Sequence, residues 1–255
     1  MKRLGQYFLF AGSILLTVTL VAACTGSGRA APEPTTVFQV VLPTLPPPTP
    51  TTLSSAEMAI AAEPVITIVP IEMLNPDGSS GSLIGGAEST LMRMPHGVYM
   101  TFKTSGLTPN DAVTMWWIIF NRPENCSNGE CGQDDAFQMD ENGQLVLDEA
   151  GNLIPNVEGR AAVVWSSLRA DGKVVEEGGS AEFLGHLPIG DATEAVVGPG
   201  LLDPMKAEFH LIARTHGPAI PGGTHNQLNT AWGGCEPGQF PCVEIQIAVH
   251  FPPEQ

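Results

Sequence analysis

The side chains best suited to chemistry gather toward the C-terminus. Glu208, His210, Arg214 and His216 recur at even spacing, which on an extended strand puts all four on one face, interrupted by Ile212, with Phe209, Leu211 and Ala213 on the other. A second stretch repeats the design, with Glu244, Gln246 and His250 on one face and Val243, Ile245, Ile247, Val249 and Phe251 on the expected core face. If both strands lie in one sheet, their polar faces make a patch of acids, imidazoles and a guanidinium. Imidazole with carboxylate is a donor set that suits zinc or copper. His210 and His216 stand roughly 20 Å apart along a strand, too far to share one ion. The metal reading therefore pairs His216 with His225 across the 217–224 loop, or His210 with His250 across strands. The plainer expectation, with no cofactor, is that these histidines bond loops and carboxylates or face solvent.

Catalysis has less to stand on. There is no G-x-S-x-G elbow, no H-E-x-x-H pair and no Gly-rich phosphate loop. A hydrolase would need a site assembled from distant residues, so no catalytic residue is assigned. Trp232 lies between two turn clusters and is expected to be exposed; with Glu208, Arg214 and Glu244 it makes a candidate ligand surface. Trp116, Trp117 and Trp165 are expected to divide between core and surface as their strands alternate.

Four cysteines lie in the body of the chain, Cys126, Cys131, Cys235 and Cys242. Each sequential pair encloses a Gly-containing turn, so local disulfides are the first expectation; a four-thiolate zinc site is the rival. Asp140-Glu141-Asn142-Gly143-Gln144-Leu145 and Asp148-Glu149-Ala150-Gly151-Asn152-Leu153 echo each other, which reads as two successive turns. Asp134, Asp135, Asp140 and Glu141 lie close enough in sequence for a loose surface calcium site, though Gln138 stands where a helix-loop-helix calcium loop needs an acid. Solvated loop acids are the simpler reading.

What must position these groups is a β framework. The 255 residues include 28 Gly and 23 Pro, and the apolar stretches between them are short, which disfavours a helical bundle. In residues 97–104, Val98, Met100 and Phe102 alternate with Tyr99, Thr101 and Lys103, as in a half-buried antiparallel strand. Other strand candidates are 65–71, 88–93, 112–121, 144–148, 161–168, 173–177, 181–187, 208–214 and 243–251. The expected fold is an all-β, antiparallel sandwich of about eight to ten strands over residues 60–255. Ser105-Gly106-Leu107-Thr108-Pro109 leading into Met115-Trp116-Trp117-Ile118-Ile119-Phe120 resembles a turn common in secreted bacterial β-sandwiches of chordin-like and copper-zinc superoxide dismutase-like architecture. The closely spaced copper-ligating histidine pair of the latter is absent, so the resemblance implies architecture alone.

The chain's start gives an address. Met1-Lys2-Arg3 precedes an uncharged apolar stretch over 7–23, which reads as a secretory signal. Its end, Val21-Ala22-Ala23-Cys24, resembles the lipobox of bacterial lipoproteins. That resemblance implies removal of residues 1–23, acylation of Cys24, and anchoring on the extracytoplasmic face of a cell or outer membrane. Residues 24–59 form a tether: from Pro32 to Ser55, 13 of 24 residues are Pro or Thr, and Pro46-Pro47-Pro48-Thr49-Pro50 suits an extended spacer. The apolar patch 37–42 interrupts it and could add a strand to the body. A net charge of −16, more acidic still after the leader is removed, argues against nucleic acid and leaves lipid to hold the protein at its membrane. The expected whole is an anchored, noncatalytic binding or structural module with an unidentified extracytoplasmic partner; a zinc- or copper-binding sandwich is the alternative.

Overall fold

Alternating side chains and Gly/Pro punctuation produce nine strands. In the computed structural model they are β1 (Val65–Leu74), β2 (Ser80–Met94), β3 (Gly97–Thr104), β4 (Asp111–Phe120), β5 (Trp165–Val174), β6 (Ala181–Pro188), β7 (Ala195–Val197), β8 (Glu208–Pro218) and β9 (Val243–His250). The structure describes residues 63–253 apart from 76–77, 150–152 and 236–241. The leader, Cys24, the tether and its 37–42 patch lie outside the described residues. All strand pairs are antiparallel, in the order β6-β3-β2-β1-β9-β8-β4-β5-β7. The all-β antiparallel expectation is met; what encloses the core is one continuous sheet curled over its own inner face.

The curl brings the far ends together. On β5, Asp171 Oδ2 accepts from the Leu184 N–H of β6 at 3.1 Å, and Lys173 donates to the Glu182 carbonyl. Inside, a β-carbon on Gly185 would lie 2.8 Å from Trp117 of β4, so glycine lets β6 close over that ring. The enclosed core draws on nearly every strand: Ile71, Leu91, Val98, Phe102, Met115, Trp117, Leu168, Phe183, Phe209 and Leu211 are all buried.

β3 follows its sequence pattern, with Val98, Met100 and Phe102 inward. β4 is buried on both faces, because parts of the sheet's outside are also covered. Short helices α1 (Gln133–Ala136) and α2 (Val157–Val163) lie in the β4–β5 connection, where Phe120, Cys126, Cys131, Ala136, Val163 and Trp165 form a second cluster. Helix α3 (Thr224–Asn229) packs against β4 and β5. Trp116, Trp117 and Trp165 are therefore all buried, against the expected division between core and surface.

Three strand expectations need correction. Residues 161–168 split into the end of α2 and the start of β5: Asn156 Oδ1 caps α2 by accepting from Gly159 N–H at 3.0 Å, and Val164 turns the chain with φ 50°. Residues 144–148 make only isolated bridges, Met139 with Leu145 and Leu147 with Leu153, the first closing the expected turn at Asp140–Gly143. Residues 173–177 supply only the end of β5, and the short β7 has no counterpart among the sequence expectations.

Candidate functional site

β8 lies between β4 and β9 and carries the chemistry the sequence singled out. Phe209, Leu211 and Ala213 face the core, leaving Glu208, His210, Ile212, Arg214 and His216 on the outer face, as the alternation requires. Ile212 divides that face. It packs with Leu74 and Ile247, supported by Ile118 and Val249, into an outer apolar cluster. At one end of β8, Glu208 Oε1 lies 2.7 Å from His210 Nε2, with the Phe120 ring 5.0 Å from the imidazole. At the other end stand Arg214 and His216.

The segment following β8 folds back over this second end. Gln227, fully buried on α3, pins it: its Nε2 donates to the carbonyls of His216 at 3.1 Å and Pro218 at 3.0 Å, and its Oε1 accepts from Ile220 N–H at 2.8 Å. His216 is buried beneath. Trp116 Nε1 donates to Thr114 Oγ1 at 2.8 Å, and Thr114 Oγ1 lies 2.8 Å from His216 Nε2. On the other side His216 Nδ1 lies 2.7 Å from the Gly233 carbonyl, which can only accept. Nδ1 therefore carries the proton, and Nε2 accepts from Thr114. Burial pushes the His216 pKa down, Gly233 partly opposes this, and Arg214 adds to it.

Arg214 lies 4.6 Å beneath the Trp232 ring, which is 68% exposed as the sequence suggested. Glu244 sits opposite Arg214 in the β8–β9 register, and its charge opposes the lowering of the guanidinium pKa that burial causes. Arg214 Nε has no hydrogen-bond partner among the described residues. Arg214, Trp232 and Glu244 thus form one corner, while Glu208 belongs to the opposite end with His210.

The histidine pairings suggested by sequence do not form. β9 keeps the expected phase as far as Ile245, which packs on the inner core while Glu244 stands opposite Arg214. A register shift there reverses it, so that Gln246, Ala248 and His250 face inward and Ile247 and Val249 join the outer apolar cluster. His210 is opposite Val249 while His250 is opposite Phe209, so the two imidazoles lie on opposite faces of the sheet. The inward polar groups are matched across the fold: His250 Nε2 to Ser89 Oγ and Nδ1 to Thr67 Oγ1, both at 2.8 Å, and Gln246 to Thr104 Oγ1 at 2.7 Å. His225 is exposed on α3 and bonds Asn229, away from the buried His216.

The four body cysteines pair locally, Cys126 with Cys131 and Cys235 with Cys242, with Cα separations of 5.0 and 5.2 Å. This rules out a four-thiolate centre in the oxidised protein. The donor atoms of His216, Cys235 and Cys242 lie within 4.8 Å of one another, as do those of Cys126, Cys131 and Asp135. The candidate calcium acids serve as loop anchors. Asp135 accepts from Ser127 N–H, Ser127 Oγ and Gly132 N–H, and Asp134 from Ser127 Oγ and Asn128. Asp140 closes a separate turn by accepting from Asn142 and Gln144 N–H, bonds that hold its carboxyl below the usual range, and Glu141 is exposed.

Arg93 escaped the sequence reading. It is fully buried, and its guanidinium is met by four backbone carbonyls. An arginine in the alternating stretch 88–93 carries no local mark of burial. No protein-family model matches the chain, and no curated protein matches it either.

Proposed function

We propose that this chain is a lipid-anchored extracytoplasmic protein whose Pro/Thr tether presents the β body as a noncatalytic binding module. The leader ending in Val21-Ala22-Ala23-Cys24 and the following tether support the anchoring. No helix among the described residues is long and apolar enough to cross a membrane. The observation that carries the binding role is a contrast at the C-terminal face. The rings of His216 and His250 are engaged at both nitrogens by neighbours within the fold, whereas Trp232 presents its indole outward above Arg214. An exposed aromatic ring over a guanidinium, just before a stapled loop, suits recognition of a planar or anionic group.

A second reading, a soft-metal centre, is favoured only by the convergence of His216 with Cys235 and Cys242. It needs the disulfide open, because a disulfide offers no thiolate. Elemental analysis of the oxidised protein, purified without chelator, separates the two. Zinc and copper well below one per chain are expected; stoichiometric metal would replace the binding reading with the metal one. Anchoring is tested in cells with a fatty-acid probe. Cys24→Ser is expected to leave a larger, unlabelled precursor, and a variant that still labels and matures normally would remove the lipid anchor from this account.

A further inference from the structure

The two disulfides occupy opposite electrostatic surroundings. Cys126 and Cys131 are 8% and 7% exposed, among Phe120, Val163 and Trp165. The polar groups near their sulfurs are acceptors: a carboxylate oxygen of Asp135 within 4.8 Å of both, and the Pro123 carbonyl 3.9 Å from Cys131 Sγ. A thiolate formed there would face like charge and an apolar wall. Cys235 and Cys242 are half-buried, and although the Gly233 carbonyl lies 3.6 Å from Cys235 Sγ, their sulfurs also lie 3.5 and 3.4 Å from His216 Nδ1, the nitrogen that bears the proton. The Trp116–Thr114–His216 chain holds that N–H in place, and the Arg214 cation bears on the same imidazole. Here a thiolate would meet a fixed donor, sharing it with the Gly233 carbonyl that accepts from the same N–H at 2.7 Å.

We propose that Cys235–Cys242 is a redox-active disulfide that exchanges with extracytoplasmic dithiols, His216 supplying the N–H that receives charge on the departing sulfur, while Cys126–Cys131 is a structural staple. A thiolate of the external dithiol attacks one protein sulfur and the Cys235–Cys242 bond breaks. The attacked sulfur enters a mixed disulfide, and the other leaves as a thiolate that draws the His216 Nδ1–H into a bond shared with the Gly233 carbonyl. The second thiol of the reagent then displaces the mixed disulfide. Two electrons and two protons have passed to the protein, and the reagent departs as a disulfide. A stabilised leaving thiolate both speeds this exchange and favours the reduced form. The inference is independent of acylation at Cys24.

The test is equilibration of the full-length mature protein in a series of reduced/oxidised dithiothreitol buffers, acid quenching, alkylation, and peptide mass spectrometry of both pairs. Cys235–Cys242 is expected to reach half-reduction at a reduced-to-oxidised ratio about tenfold or more below that of Cys126–Cys131, the scale of one hydrogen bond to a charged group. His216→Gln is expected to raise the Cys235–Cys242 midpoint toward that of the staple and leave the Cys126–Cys131 midpoint in place; Thr114→Val, which frees the imidazole, moves it the same way by less. Equal midpoints, or earlier reduction of Cys126–Cys131, would overturn the proposal. So would an unmoved Cys235–Cys242 midpoint in a His216→Gln protein whose staple still titrates as in wild type. If His216→Gln does not fold, the order of the two wild-type midpoints decides.

Discussion

Arg93→Met is expected to lower the stability of the folded body by about 4 kcal/mol or more, the sum of several buried carbonyls losing their donor. Arg93 Nη1 donates to the carbonyls of Pro204 and Ala207, and Nη2 to those of His250 at 3.1 Å and Phe251 at 2.8 Å. One side chain on β2 thus ties the segment entering β8 to the end of β9. The guanidinium also lies 4.9 Å from the centre of the Phe209 ring. Burial pulls its pKa down to about 10, with Glu208 opposing, so it remains charged at neutral pH. Methionine fills much of the volume and supplies no donor. Arg93→Lys is expected to recover only part of the loss, because an ammonium on a narrower stem cannot span four carbonyls in the guanidinium plane. Denaturant unfolding measures both variants. A loss under about 1 kcal/mol for Arg93→Met would mean that water replaces the guanidinium and that this corner is not closed by it.

The strand content was legible because alternation and punctuation agree. Val98, Met100 and Phe102 go in, and the Pro95-His96 turn joins β2 to β3 through the Met94–Gly97 pair. Local cysteine pairing was legible for the same reason, each pair enclosing its own turn. β9 was not. Ile245, Ile247 and Val249 look like one core face, but only Ile245 packs on the core; past the register shift beside it the outer face holds a second apolar cluster, while His250 and Gln246 turn inward to Ser89, Thr67 and Thr104. Those partners lie more than a hundred residues away, and their hydroxyls look like ordinary strand residues in sequence. Apolarity alone therefore assigned the wrong face from Gln246 onward.

The candidate site divides along the same line. Alternation placed Glu208, His210, Arg214 and His216 on one face of β8, and turn composition exposed Trp232. It could not foresee that Ile212 splits the face, or that α3 and Gln227 hold the following loop over His216. The partners of His216 are a hydroxyl on β4, the Gly233 carbonyl and two cysteine sulfurs. Only folding brings those groups together, and it changes the histidine from a candidate metal ligand paired with His225 into a fixed N–H beside a disulfide.

Acid should loosen the fold well before the carboxylates are protonated, and His250 is the reason. Its imidazole is fully buried and hydrogen-bonded at both nitrogens, and burial, with Arg93 adding to it, holds its pKa near about 3. In the unfolded chain the same group titrates near 6.5. The folded state therefore binds fewer protons throughout that interval. Its stability is fully present above pH 6.5 and falls as pH drops from there toward 3, by up to about 1.4 kcal/mol per pH unit for one proton. His216, shifted in the same direction, steepens the decline. The structural consequence is local to begin with. β1 pairs with β9 only through Glu72–Ile247 and Met73–Gln246, so the His250 contacts to Thr67 and Ser89 do for the rest of that seam what a ladder does elsewhere. A charged imidazole there would face the Arg93 guanidinium. Urea unfolding of wild type and His250→Gln between about pH 7.5 and 5 tests this. The variant is expected to be weaker at the upper end and to lose stability less steeply by about one proton. A wild-type stability that stays flat across the interval, or a variant with the same slope, would show that His250 is not the group through which acid acts.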